Sequence, residues 1–495
     1  METLNTLEIY FANFRDHIIG GEQTFESPYG SKKILYADWT ASGRAYQPIE
    51  VYMQQQILPF VANTHTGSTV TGSFISQAYQ EAKATIKQHV NAGSDDVLIF
   101  CGSGMTAAVN KLQRILGLRI PERLKDYLEN EGSSLKVKEE LRPVVFVTHM
   151  EHHSNHISWL ETIATVEIIG SNACGNVDLD HFEELLQRYR HRTHKIAAVT
   201  ACSNVTGIET PYHEIARIIH QHDGLCFVDF ACSAPYVDIN MHPDEKSRHL
   251  DAIYFSPHKF LGGPGTPGVL IFNKNLYTNN VPDQPGGGTI AYSNPWKEHI
   301  YIDGVEERED GGTPPFLQGI KAALCIRLKE SMGTRNIRER KKELLAILFK
   351  RFEKITNTTV LGGCISDRLG VVSFIIRGAH YNLVVKLLND RFGIQTRGGC
   401  SCAGSYGHYL LGVTKTDSQR ILGDILSGNL QDKPGWVRLS IHPTMTDDEM
   451  HLIMDAIGQI AAKHTEWGMN YRYCPASNEF IMNARVSDTH YNVIA

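Results

Sequence analysis

The segment Asp251-Ala-Ile-Tyr-Phe-Ser-Pro-His-Lys259 ends an apolar run in Ser256, His258 and Lys259, and a loop dense in glycine and proline follows to Gly268. A lysine at the mouth of a sheet is desolvated, which favours the neutral amine that imine formation requires. Ser256 and His258 offer donors to an anion, and the glycines permit close backbone approach. A lone lysine after a strand is ordinarily a surface residue, so the reading rests on its company. Asp229 closes the apolar run Leu225-Cys-Phe-Val-Asp229. A carboxylate there holds a pyridine nitrogen protonated and makes the ring an electron sink. Cys101-Gly-Ser-Gly-Met-Thr106 lies between a strand and a helix pattern, where N–H groups and the Thr106 hydroxyl meet an anion at a helix N-terminus. Each feature is weak alone. Together, on separate strand ends of one sheet, they describe a site for pyridoxal 5'-phosphate.

A second chemistry-bearing group is Arg397-Gly-Gly-Cys-Ser-Cys-Ala403. Cys400 and Cys402 sit there in a Gly/Ser-rich loop beside an arginine, where a reactive thiol would be placed. Cys101, Cys202 and Cys226 lie instead in apolar strand-like runs, where a thiol packs as a small hydrophobe. Ten cysteines in 495 residues are no small disulfide scaffold. His149, His152, His153 and His156 admit a reading as metal ligands, but four histidines so close need a helical geometry that the sequence does not clearly provide. No metal is expected.

Positioning these groups requires strands that end together. Short apolar runs at Val97–Cys101, Val144–Thr148, Val166–Ile169, Ile196–Ala201, Leu225–Asp229, Asp251–Ser256 and Gly268–Phe272 alternate with helical patterns such as Thr106–Leu116. Another helix starts at Pro211 and stops by Gly224. The alternation predicts an α/β fold, a mainly parallel seven-stranded sheet covered by helices. Gly117–Pro143 reads as a charged helical insertion. A helix over Phe316–Met332 leads into a smaller α+β region with strands at Val371–Ile376 and Val437–Ile441, and helices near Asn382–Phe392 and Asp447–Ala462. The expected division is residues 1–34, an N-terminal segment packing with the small domain; 35–315, the large domain; and 316–495, the interdomain helix and small domain. The tail after Trp467 carries no clear pattern.

Net charge is -6 and no basic run stands out, so nucleic acid is not an expected partner. The N-terminus does not read as a signal peptide, and no apolar stretch approaches the ~20 residues that span a bilayer. A soluble, cytoplasmic protein is expected.

From Tyr36 to Ile457 the chain resembles the class V aminotransferase superfamily of fold-type I pyridoxal-phosphate enzymes, and within it the cysteine desulfurase and selenocysteine lyase branch. The resemblance rests on the segments already quoted and on Tyr36-Ala-Asp-Trp-Thr-Ala-Ser42, Asn63-Thr-His-Thr-Gly67, Met150-Glu-His-His-Ser-Asn155, Ser203-Asn-Val-Thr-Gly207, Val228-Asp-Phe-Ala231 and Asp310-Gly-Gly-Thr-Pro314. It implies that Lys259 is the Schiff-base lysine and proton shuttle, with Ser256 and His258 on the phosphate beside Thr106. It places Asp229 on the pyridine nitrogen, His152 on the ring face, and Asn204 at the ring edge or the substrate carboxylate. Thr313 would reach the phosphate of a neighbouring subunit, which implies a homodimer. Arg397 and Arg438 would hold the carboxylate of an amino-acid substrate.

Cys402, five residues after Arg397, matches the loop cysteine that attacks the substrate's sulfur, taking L-cysteine to L-alanine and leaving a persulfide for a sulfur-acceptor protein. Several positions depart from that branch. Cys232 stands where a glutamine usually contacts the cofactor's ring oxygen, Met105 replaces a small or hydroxyl residue in the phosphate loop, and Ile441-His-Pro443 replaces a Tyr-Asn region. The sequence therefore leaves open another class V activity (aminotransferase, β-lyase, epimerase or kynureninase-like hydrolase), since fold and cofactor do not choose among them. Cys402 is the discriminating residue. A binding protein without turnover is a third reading, against which the intact Lys259, Asp229 and His152 set argues.

Overall fold

The computed structural model describes residues 6–64, 67–130 and 137–483. His65 and Thr66 of the Asn63 motif, residues 131–136 of the charged insertion, and the tail from 484 on lie outside them.

The sequence Val144-Val-Phe-Val-Thr148 shows why the main sheet forms: every residue is buried, four of five are β-branched, and no position is spared for solvent. Strands of that kind need cover on both faces. They make one seven-stranded sheet in the order Asp96–Cys101, Gly268–Asn273, Ala252–Phe255, Leu225–Asp229, Lys195–Thr200, Val144–Thr148, Thr165–Ile169. Gly268–Asn273 runs antiparallel to both neighbours, and the pairs from Ala252–Phe255 onward are parallel. This is the expected mainly parallel α/β sheet, each strand found within a residue or so of its expected bounds. Alternating residues feed two cores: Leu98 and Phe100 pack on one face, Ile99 and Cys101 on the other. The helix Met105–Ile115 buries Ala108, Val109, Leu112 and Ile115. Helix Tyr212–His220 has Pro211 at its N-cap and ends before Gly224.

A four-stranded antiparallel sheet follows, in the order Thr358–Val360, Val371–Ile376, Trp436–Ser440, Arg397–Gly399. Helices Phe316–Met332 and Thr334–Phe352 lead to it, Tyr381–Phe392 packs on it, and Asp447–Gly468 packs against Thr334–Phe352 and Tyr381–Phe392. A reciprocal Thr446/Glu449 capping box starts the last helix. The N-terminal helix Thr6–Arg15 is tied to this part of the chain. Glu8 accepts from Arg340 (3.0 Å) and from Asp447 N (2.9 Å), and Arg15 donates to Thr444 O (2.9 Å).

Three segments differ from the sequence reading. The tail after Trp467 forms a hairpin, Tyr471–Cys474 with Glu479–Met482. Asn382 and Asn478 fasten it, through Asn478 O and the Tyr381 hydroxyl. Within residues 282–315, where the sequence reading named no strand, lies a second hairpin, Ile290–Ser293 with His299–Tyr301. Arg397–Gly399 is an edge strand rather than loop, because it pairs with Trp436–Ser440. Among the described residues no helix is long and apolar enough to cross a membrane.

Candidate active site

The parallel strands point their carboxyl ends at one edge, and every chemistry-bearing group singled out on the large sheet lies there. A cavity of about 200 Å³ opens at that edge, lined by Thr106, His152, Asn204, Asp229, Ser256, His258 and Lys259, and closed from the second sheet by Arg397, Cys402 and Arg438. Met105 and Cys232 also line it. Thr313 is exposed and does not.

Lys259 follows strand Ala252–Phe255 on a single 3-10 turn begun by Pro257. Burial lowers its pKa, Cys232 and Asp229 oppose that, and Arg438 and Arg397 add to it. The amine is thereby drawn toward its neutral, nucleophilic form. Asp229 ends the neighbouring strand at 3% exposure. Burial pushes its carboxyl up to about 6, while the Ala231 N–H (2.8 Å) and the Lys259 charge pull it down. A desolvated carboxylate is short of a cationic partner, and a protonated ring nitrogen is one.

His152 stands one turn past Val144–Thr148, placed by Glu151. Glu151 accepts from Thr148 Oγ1 (2.7 Å), Thr200 N (2.8 Å) and Asn155 Nδ2 (2.8 Å), which ties the turn to the adjacent strand. Burial pushes the Glu151 carboxyl up to about 8. His152 Nδ1 accepts from Ser154 N (3.1 Å), so the ring proton belongs on Nε2. Burial, with Lys259 and other cations nearby, pushes its pKa down to about 3. The ring is neutral, suited to lying on another ring.

At the phosphate end the turn Gly102–Gly104 opens helix Met105–Ile115. Met105 N donates to Ser256 Oγ (2.9 Å), and Thr106 Oγ1 shares a hydrogen bond with Ser154 Oγ (2.6 Å). Gly104 has φ +132, and a Cβ there would stand 2.9 Å from His258 Cε1. Only glycine fits so tight a cradle. These residues fit a phosphorylated pyridine aldehyde: a helix N-terminus for the phosphate, a buried carboxylate for the ring nitrogen, and an enclosed amine for the aldehyde.

The second sheet contributes cations. Arg397 and Arg438 are direct partners across the antiparallel pair. Arg438 is 2% exposed, donating to Asp38 Oδ1 (2.6 Å) and to Asn204 O (3.3 Å). Asn204 Nδ2 in turn donates to Ser401 O (2.7 Å), while its Oδ1 is buried without a hydrogen-bond partner.

Cys402 is exposed, and both it and Ser401 have left-handed backbone, φ +57 and +52. Two non-glycine residues in that region hold the turn under strain, a feature that clusters at functional sites. His153 pins it from both sides. Its N–H donates to Cys402 O (2.7 Å), and its Nε2 accepts from Gly404 N (2.8 Å).

The sequence model of the aminotransferase class-V family matches residues 35–453. The chain belongs to that family. Among its relatives, a protein named "Probable cysteine desulfurase" from Staphylococcus aureus is 28% identical over 376 residues, covering 75% of this chain and 84% of that one. One of the same name from Halalkalibacterium halodurans is 29% identical over 380 residues, with the same coverage. Two solved folds superpose well. The apo cysteine desulfurase of Thermococcus onnurineus gives a TM-score of 0.69 at 22% identity, over 87% of this chain and 95% of that one. The cysteine desulfurase CsdA (S-sulfonic acid) of Escherichia coli gives 0.69 at 19% identity, over 92% and 98%.

The chain brings the large-sheet groups, Arg397, Cys402 and Arg438 to one cavity while Thr313 lies outside it, and further residues to which the sequence reading gave no role in the site line the same cavity. Thr40, Ala41, Ser103, Thr200 and Cys202 also line the cavity. Cys202, read from the sequence as a packing thiol, is the informative case. It packs beside Cys232, and burial together with their shared hydrogen bond raises its pKa well above that of a free thiol. Its position just past strand Lys195–Thr200 was the available signal. Asp38 and His153 were quoted within motifs, but only three-dimensional contact reveals them as supports.

Proposed function

We propose that the chain is a pyridoxal-5'-phosphate-dependent cysteine desulfurase that takes L-cysteine to L-alanine and a persulfide on Cys402. The observation that carries this reading is the convergence of Lys259, Asp229, His152, Arg397, Arg438 and Cys402 on one cavity. When bound, the cofactor supplies an aldehyde carbon for the amine and an electron-accepting ring that acidifies the substrate Cα.

The chain's own residues do the rest. Ser256, His258 and Thr106 hold the phosphate with the N–H groups that open helix Met105–Ile115. Asp229 keeps its carboxylate for the ring nitrogen, and the neutral His152 ring covers one face. Arg397 and Arg438 clamp the substrate carboxylate, and Asn204 lies beside them. Lys259, its pKa lowered by burial, takes the proton from Cα and delivers one later. The Cys402 sulfur attacks the substrate sulfur. An S–S bond forms, the Cβ–S bond breaks with its electron pair moving to carbon, and protonation at Cβ releases alanine.

The terminal sulfur stays on Cys402, exposed for an acceptor protein. In the same reading the enzyme is a cytoplasmic homodimer in which Thr313, exposed on one protomer, completes the phosphate site of its partner. Purified protein given L-cysteine should yield alanine together with an alkylatable persulfide at Cys402. Cys402→Ser should bind cofactor normally and form neither product; full turnover by that variant overturns the desulfurase reading.

A further inference from the structure

At the opposite edge of the main sheet, away from the cavity, His220 ends helix Tyr212–His220, and His249 and Asp251 lead into strand Ala252–Phe255. We propose that His220, His249 and Asp251 form a binding site for a divalent transition-metal ion of the zinc type.

The three residues bring one ligand atom each to within 4.8 Å of one another. His220 Nε2 is 2.9 Å from Asp251 Oδ2, and His249 Nε2 is 3.3 Å from Asp251 Oδ1. The two imidazoles stack with centroids 4.1 Å apart and planes 9° from parallel.

Proton placement makes the case. His220 Nδ1 lies 2.7 Å from Ser247 O, and His249 Nδ1 lies 2.8 Å from Lys246 O. A carbonyl oxygen only accepts, so both Nδ1 atoms carry hydrogen. In a neutral ring that leaves a lone pair on each Nε2, and both lone pairs face a carboxylate that also only accepts. A cation between them, a proton or a metal ion, resolves the conflict. Two protons would serve, but they would stack two imidazolium rings face to face over one carboxylate. One divalent ion shared by both Nε2 atoms and the carboxylate satisfies all three groups at once.

The surroundings have the form of a ligand shell. Backbone carbonyls on the far nitrogens are the usual orienting partners of metal-bound histidines. The Cys226 N–H, 2.8 Å from Asp251 Oδ2, fixes the carboxylate. Two imidazole nitrogens and one oxygen suit a borderline ion such as Zn²⁺. Bonds of about 2.0–2.2 Å require the side chains to rotate inward. The His249 side chain is 37% exposed, against 13% for His220 and 10% for Asp251, so an ion enters past His249. His242 continues the ring stack, but its Nε2 is engaged by Asp96. The ion would clip the end of one helix to the segment feeding the strand that carries Lys259 at its other end. None of the three ligands lines the cavity.

The test uses cofactor-loaded enzyme freed of metal by a chelator, then titrated with Co²⁺ and separately with Zn²⁺. Metal content is measured after gel filtration, alongside the Co²⁺ optical spectrum and thermal melts. One equivalent per chain is expected, without a thiolate-to-cobalt charge-transfer band and with a raised Tm. His249→Gln and His220→Gln should weaken binding by roughly 100-fold or more, with alanine production unchanged. Parent-like Co²⁺ uptake by a His249→Gln variant that is folded by circular dichroism overturns the proposal. So does a parent enzyme that takes up none.

Discussion

Replacing Asp229 by asparagine should make the cofactor-free protein more stable. Burial raises this carboxyl from 3.8 to about 6. The unfolded chain therefore ionises it more readily than the folded one does, and the folded state bears the cost at any pH above about 6. The cost shrinks as pH falls from 6 toward 3.8 and is gone below that. Two pH units at about 1.36 kcal/mol each come to roughly 3 kcal/mol. Asparagine keeps an oxygen for the Ala231 N–H and carries no charge to bury.

Unfolding entropy of ~2.1 cal/mol/K per residue, over this chain length, makes 1 kcal/mol worth about 1 °C. The dialysed Asp229→Asn protein should thus melt about 3 °C above the parent at pH 8, with the gain closing toward pH 4. Adding pyridoxal 5'-phosphate should reverse the order, because only the carboxylate can pair with a cationic ring nitrogen. Thermal melts at the two pH values and an absorbance titration with cofactor decide the matter. A variant no more stable than the parent at pH 8, or a gain undiminished at pH 4, refutes the reasoning.

Two further outcomes follow from the site's supports. His153→Ala loses the acceptor for Gly404 N but keeps the backbone N–H on Cys402 O. One hydrogen bond of roughly 1 kcal/mol should slow persulfide formation about fivefold in rapid-quench assays, with cofactor affinity unchanged and His153→Gln restoring the rate. Gly104→Ala puts a Cβ 2.9 Å from His258 at φ +132. Strain of about 1–3 kcal/mol should weaken cofactor binding by about fivefold to a hundredfold by absorbance titration, while far-UV circular dichroism stays the same.

The main sheet was legible because its strands are buried on both faces and so read as unbroken apolar runs, with Val144–Thr148 matching residue for residue. The groups at its carboxyl edge were legible for a related reason: each terminates such a run, so finding the strand finds the residue. The hairpin Tyr471–Cys474/Glu479–Met482 was not, because its alternation is shallow and its stability comes from Asn382 and Tyr381, nearly a hundred residues away. His153 was equally hidden. As a linear motif it is one more histidine, and its bond to Gly404 spans 251 positions. The His220, His249 and Asp251 cluster also escaped notice, since its members are not spaced as a helical ligand motif and the fold alone brings them together.

The facing pair Arg397 and Arg438 bears on substrate class. Like charges placed directly opposite on an antiparallel ladder repel and weaken the pairing. The sheet offsets one of them, since Asp38 neutralises Arg438 in a buried contact. Arg397 has exposed side-chain area at the cavity and shows no ion pair among the salt bridges of the described residues. In the proposed reading that arrangement is kept because a substrate carboxylate supplies the missing negative charge, and a guanidinium fork binds it in two places at once. The repulsion in the free enzyme then becomes affinity for an amino acid. In the same reading, the strained turn at Ser401 and Cys402, joined to Arg438 through Asn204, brings Cys402 to the cavity that Arg397 and Arg438 also line.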